Sequence, residues 1–173
     1  MAVDHVKDLS ITGLDAVPQV IPTSGKGGAG NVKVSTGSAV AVASSSADST
    51  YQLVRLPSTA KVKQIIFEPE AQTAGKFDLG VYYYTGDGTS LLAADAIDQD
   101  LFATDIDCAS AVTPTDVTNE SGTYTHLKRL MPLWEAAGLT ADPGDFIDIV
   151  ATVKTTAVTT GTGRFGITVY WCE

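Results

Sequence analysis

Phe146-Ile147-Asp148-Ile149-Val150-Ala151-Thr152-Val153-Lys154-Thr155 and, after a short connector, Arg164-Phe165-Gly166-Ile167-Thr168-Val169-Tyr170-Trp171-Cys172 decide the fold class. In the first stretch Ile147, Ile149, Ala151 and Val153 alternate with Asp148, Thr152 and Lys154. In the second, Phe165, Ile167, Val169 and Trp171 share one face. A period of two is what a half-buried strand requires, because successive side chains point to opposite faces of a sheet. The connector, residues 155–163, is rich in threonine and glycine, as the loop of a hairpin should be. Pro143-Gly144-Asp145 supplies the turn that leads into the pair.

Working back toward the amino terminus, the same rhythm recurs. Phe77, Leu79, Val81 and Tyr83 face one way, and Lys76, Asp78, Gly80, Tyr82 and Tyr84 the other, before Gly86-Asp87-Gly88 turns the chain. Lys61 to Glu68 is a strand around Val62, Ile65, Ile66 and Phe67, closed by Pro69. Tyr51 to Leu56 is another, closed by Pro57-Ser58. Val32 and Val34 alternate, Thr36-Gly37-Ser38 reads as a turn, and Val40 and Val42 alternate again. Two segments break the rhythm. Ser90 to Phe102 places Leu91, Ala94, Asp98 and Leu101 at helical spacing and reads as a short helix or an ordered acidic loop. Pro132-Leu133-Trp134-Glu135-Ala136-Ala137-Gly138 reads as one or two helical turns, with proline near the start and glycine at the end. No internal repeat points to a solenoid or propeller. The expected architecture is all-β: a two-sheet antiparallel β-sandwich, a jelly roll of about eight strands, with one or two short helices.

The first thirty residues differ. Ile11, Leu14, Val17, Val20 and Ile21 are too apolar for an idle tail, and the glycine-rich stretch Gly25 to Gly30 reads as a hinge. The expected organisation is an extended arm and hinge over residues 1–30 and a β-sandwich domain over residues 31–173. The arm is expected to dock on its own core or on a neighbouring subunit.

The chain has 173 residues, 11 Lys+Arg against 20 Asp+Glu, and a formal net charge of −9. A hydrophobic content of 44% with 18% charged residues argues for a packed domain and against disorder. The cations do not cluster, so nucleic acid is not an expected partner. No run approaches the ~18 apolar residues of a membrane helix, and no secretory signal is expected. Cys108 and Cys172 form neither a CxxC motif nor a disulfide framework, and read as buried thiols.

The search for chemistry excludes more than it finds. Gly25-Lys26-Gly27-Gly28-Ala29-Gly30 matches the spacing of a dinucleotide-binding loop. It lacks the preceding strand and following helix that would aim amide groups at a pyrophosphate, so it reads as a linker. His5 and His126 have no paired-ligand spacing, and no nucleophile elbow is present. Asp95, Asp98, Asp100, Asp105 and Asp107 crowd into thirteen residues. That stretch reads as a solvated acidic face, with a shared divalent-ion site as the alternative. Tyr82 and Tyr84, on one face of a strand, form a stacking platform for a sugar or a contact patch for protein if that face is exposed. No enzyme, catalytic residue, metal or cofactor is expected.

From Ser49-Thr50-Tyr51-Gln52-Leu53-Val54-Arg55-Leu56-Pro57-Ser58-Thr59-Ala60-Lys61-Val62 the chain resembles the head decoration or cement proteins of tailed bacteriophages. The resemblance continues through Phe77-Asp78-Leu79-Gly80-Val81-Tyr82, the acidic stretch to Phe102-Ala103, Glu120-Ser121-Gly122, Tyr124, Pro132-Leu133-Trp134-Glu135, and Asp145 to Ala151. It spans roughly residues 48–170 and leaves out the arm. It implies a jelly-roll sandwich on the exterior of a virion capsid, made in the host cytoplasm. Its partners would be the major capsid protein and further copies of itself, as a dimer or trimer that cements neighbouring capsomers. It carries over no catalytic residues. Ile11, Leu14, Val17, Val20 and Ile21 of the arm, with Tyr82, Tyr84 and Trp134, are the expected capsid or subunit contacts. A carbohydrate-binding or adhesin-like β-sandwich is the second reading, and it requires Tyr82 and Tyr84, or Trp134, to be exposed.

Overall fold

The computed structural model describes residues 31–42, 45–72, 75–85, 91–110, 113–154 and 163–173. The expected arm and hinge, the Gly86-Asp87-Gly88 turn and most of the connector between the last two strands lie outside them. Eight strands follow in order: β1 Lys33–Val40, β2 Thr50–Pro57, β3 Lys61–Pro69, β4 Lys76–Tyr83, β5 Ala96–Asp107, β6 Thr115–Asp116, β7 Phe146–Val153 and β8 Arg164–Cys172. They form two four-stranded sheets, β1-β8-β3-β6 and β2-β7-β4-β5, with every pairing antiparallel.

The pairings define the topology. β1 bonds β8, β2 bonds β7, β3 bonds β6 and β4 bonds β5, so the chain is one long antiparallel hairpin. β8 also bonds β3 and β7 also bonds β4, which rolls that hairpin into two facing sheets. This is the jelly roll. The sheets meet through aromatic rings: Phe165 of β8 packs 4.7 Å from Phe77 of β4 and 5.1 Å from Tyr51 of β2. Ile147, Ile149, Ala151 and Val153, with Phe165, Ile167, Val169 and Trp171, all sit in the core. Cys108 and Cys172 are both buried and unbridged. Burial, with the nearby Asp107 charge, pushes the Cys108 thiol up to about 12, so it stays protonated and inert.

Two sequence expectations are corrected. Thr36-Gly37-Ser38 is not a turn, because β1 runs through it in unbroken register with β8. Gly37 serves close approach instead: a Cβ there would lie 1.8 Å from the carbonyl oxygen of Leu53 in the facing sheet. The stretch 96–102 is neither helix nor loop. After a single 3-10 turn at Ala93–Asp95 it becomes the first half of β5. Register shifts against β4 between Phe77 and Leu79, Leu79 and Val81, and Val81 and Tyr82 mark bulges that fold β5 close over Gly80. The helical turn after Pro132 does form, at Leu133–Ala136, and Gly138 ends it with φ 88°.

Candidate interaction surfaces

Two of the residues that the sequence singled out, Tyr82 and Tyr84, stand at the outer face of the β2-β7-β4-β5 sheet, and both are engaged within the chain. Tyr82 is fully buried. Its hydroxyl lies 2.6 Å from Thr152 Oγ1, and its ring packs with Leu91, Val150 and Ala96. The segment before β5 covers this face, so Tyr82 cannot form half of an exposed platform. That corrects the expectation for Tyr82 as a contact residue. A ring of this size removed from water contributes more as a core residue than as a ligand surface.

Tyr84 is half-buried, and one face of its ring is taken. The Arg55 guanidinium sits 3.9 Å from the ring centroid, and Phe146 approaches edge-on at 5.9 Å. Arg55 is fixed in turn by Asp148 on the adjacent strand. Its Nε donates to Oδ1 at 2.7 Å and an Nη to Oδ2 at 3.0 Å, while Gln52 Nε2 also donates to Oδ2 at 3.0 Å. The paired hydrogen bonds to Asp148 hold Arg55 above its ordinary value. Trp134, in the helical turn, is half-buried and packs against the core. Ile11, Leu14, Val17, Val20 and Ile21 lie outside the described residues.

Sequence reasoning missed a second polar cluster on this face. Asp78 is buried and accepts from the Asp105 amide at 3.0 Å, Thr104 Oγ1 at 3.1 Å and Gln99 Nε2 at 3.3 Å. Lys154 Nζ lies 3.4 Å from Asp78 and 3.6 Å from Asp105. Asp105 has φ 56°, a left-handed conformation that this network supports. The only signal in the sequence was an aspartate at an outward position of β4. Its role depends on a bulge that no local pattern announces.

The acidic stretch runs along β5 at a sheet edge. Burial, helped by a hydrogen bond with Asp100, holds the Asp98 carboxyl above its ordinary value. A carboxyl that keeps its proton more tightly when folded favours the fold at low pH. That contribution is lost as pH rises through the folded value. Asp98→Asn is therefore expected to raise stability at pH 7 by up to ~0.5 kcal/mol and to bring no gain at pH 3, as urea unfolding at both pH values would show. Among the described residues no three His, Cys, Asp or Glu side chains come together as a metal-ligand group. His126 is exposed in a loop. Two shallow concavities on the other sheet share Ser38, Glu68 and Gly166. No helix among the described residues is long and apolar enough to cross a membrane.

No protein-family model matches the chain, and no curated protein matches it in sequence. Solved structures do match its shape. A chain in the cyanophage Pam1 capsid asymmetric unit is 19% identical with a TM-score of 0.52, over 91% of this chain and 96% of that one. A chain in the capsid of Ralstonia phage GP4 is 13% identical with a TM-score of 0.58, over 89% of each. At these identities the likeness speaks for the jelly-roll sandwich, and the two matched chains are of comparable length to this one.

Proposed function

We propose that this chain is a structural, non-enzymatic virion protein that binds the outer surface of a tailed-phage capsid and cements neighbouring capsomers. The observation that carries this reading is the likeness in fold to a chain of the Pam1 capsid asymmetric unit, which extends over 91% of this chain. The GP4 capsid chain supports it independently. The surface agrees: Tyr82 is buried against Thr152, Tyr84 is stacked under Arg55 and Asp105 is paired with Lys154, which suits holding a shape more than turning over a substrate. The arm supplies the attachment. Ile11, Leu14, Val17, Val20 and Ile21, spaced from the body by the glycine-rich hinge, clamp a neighbouring subunit, and many weak copies act together on one particle. The carbohydrate-binding alternative loses its tyrosine pair with the burial of Tyr82.

The test is a truncation. A chain lacking residues 1–24 is expected to keep its far-UV circular dichroism and its unfolding midpoint. It should fall at least tenfold in occupancy when co-sedimented with capsids stripped of the protein. Full occupancy of the truncated chain would remove the arm from the attachment. Failure of the intact chain to bind any capsid would overturn the reading itself.

A further inference from the structure

A two-sheet sandwich has four edge strands, and three of those here are blunted. β6 is two residues long. β5 carries four aspartates and a run of bulges, and β2 has a register shift at Gln52/Val54 with Arg55 and Pro57 beyond it. These are the devices by which edges avoid pairing with other chains. β1 has none of them beyond Lys33 at its start. From Val34 to Val40 it is uncharged, free of proline and regular in register, and among the described residues it is bonded on one side only, by β8. Its exposed row runs Val34, Thr36, Ser38 and Val40, with a valine at each end 55% and 49% exposed, and Val32 and Val42 just beyond the strand are 61% and 63% exposed.

The strand is also chemically symmetric about Gly37. Reading outward in both directions, Thr36 matches Ser38, Ser35 matches Ala39, Val34 matches Val40, Lys33 meets Ala41 and Val32 matches Val42. Antiparallel pairing of two identical strands about a two-fold axis puts residues equidistant from the axis opposite each other. With the axis at Gly37, every exposed valine faces a valine of the other copy, Thr36 faces a serine, and no charge meets its like. Moving the axis to Thr36 or Ser38 sets valine against Ser38 or Thr36 instead. Cross-strand β-branched pairs stabilise a ladder and fix its register.

We propose that β1 is a homodimerisation edge, pairing antiparallel with β1 of a second copy about a two-fold axis at Gly37. The two β1-β8-β3-β6 sheets then join into one eight-stranded sheet. The interface needs no capsid and is tested without one.

In this register Val34 lies opposite Val40 of the partner subunit, with Cα atoms ~4.5–5.5 Å apart, within disulfide reach. Val34 is ~20 Å from Val34 of the partner subunit, six residues away along the strand. Full-length Val34→Cys and full-length Val40→Cys, mixed and mildly oxidised, are expected to yield a covalent dimer joining one of each. Either protein oxidised alone should stay uncrosslinked, since the native thiols are buried. Thr36→Lys, which brings two ammonium groups together near the axis, should weaken the dimer at least tenfold in sedimentation equilibrium and leave the urea midpoint unchanged when both proteins are diluted until they are monomeric. Equal crosslinking by each variant alone would overturn the proposed register. A monomer with no crosslink in the mixture, as follows if residues 11–21 of the same chain occupy this edge, would overturn the dimer. So would a dimer indifferent to Thr36→Lys.

Discussion

Arg55→Ala is expected to lower stability by about 3 kcal/mol, which for a chain of this length is a fall of roughly 6–12 °C in Tm. The Asp148 carboxylate is 2% exposed and depends on the two Arg55 hydrogen bonds, with Gln52 supplying one more. Truncating the arginine leaves a buried charge with one neutral donor. Much of the cost is the desolvation of Asp148 and not the lost attraction. The side chain of Arg55 is 45% exposed, so water can partly replace it, and this keeps the expected loss at the lower end for a broken buried pair. Tyr84 also loses the cation over its ring, a smaller effect. Arg55→Lys should recover only part of the loss, because an ammonium cannot make the two parallel bonds of a guanidinium. Replacing both partners together, Arg55→Met with Asp148→Leu, should recover most of it. Urea unfolding of the four proteins checks the set, and equal stability of Arg55→Ala and the parent would remove the pair from the account.

Gly80→Val should cost at least as much, about 3 kcal/mol or more, and reduce soluble yield. A Cβ at Gly80 would stand 2.1 Å from the carbonyl oxygen of Asp98 and 2.3 Å from the carbonyl carbon of Gln99. Both are backbone atoms of β5, which cannot move aside by changing rotamer. Either β5 lifts, opening the Asp78 network and the cover over Tyr82, or β4 shifts away from β7. Gly166→Ala is the matching control. It lies on the outer face of β8, and its Cβ would find its nearest neighbour at 3.4 Å, an ordinary contact. Its thermal midpoint should stay close to the parent's, whereas a small effect at Gly80 would mean that β5 is not held against β4 as described.

What the sequence made legible was each strand that keeps a strict period of two, β4, β7 and β8 above all. β2 and β3 blur that period for an identifiable reason. Their register shifts at Gln52/Val54 and Val62/Gln64 reset the phase, so Leu53 and Val54 are both buried, and Val62 and Ile65, three apart, both face the core. β5 was hidden by composition. Alanine, aspartate and leucine are weak strand formers, and pairing with β4 overrides their preference. Thr36-Gly37-Ser38 carries turn chemistry, yet the glycine answers to a contact with Leu53, far along the chain. The tyrosine platform failed for a related reason. Alternation assigns Tyr82 to the outer face of its sheet correctly, but nothing local records that the segment from Leu91 to Ala96 lies over that face. The arm residues stand on the sequence alone.

The nested pairing also sets an order in which the chain can close as it is synthesised. β4 and β5 are neighbours in sequence and can pair early, whereas β2 must wait for β7, the next-to-last strand. β8 is made last, yet it lies between β1 and β3 and bonds both. A nascent chain can complete one sheet while the other stays split down the middle, with the valine edge of β1 already made. Any message truncated before Arg164 would produce a half-closed body with two additional open edges, each able to capture a strand from another chain.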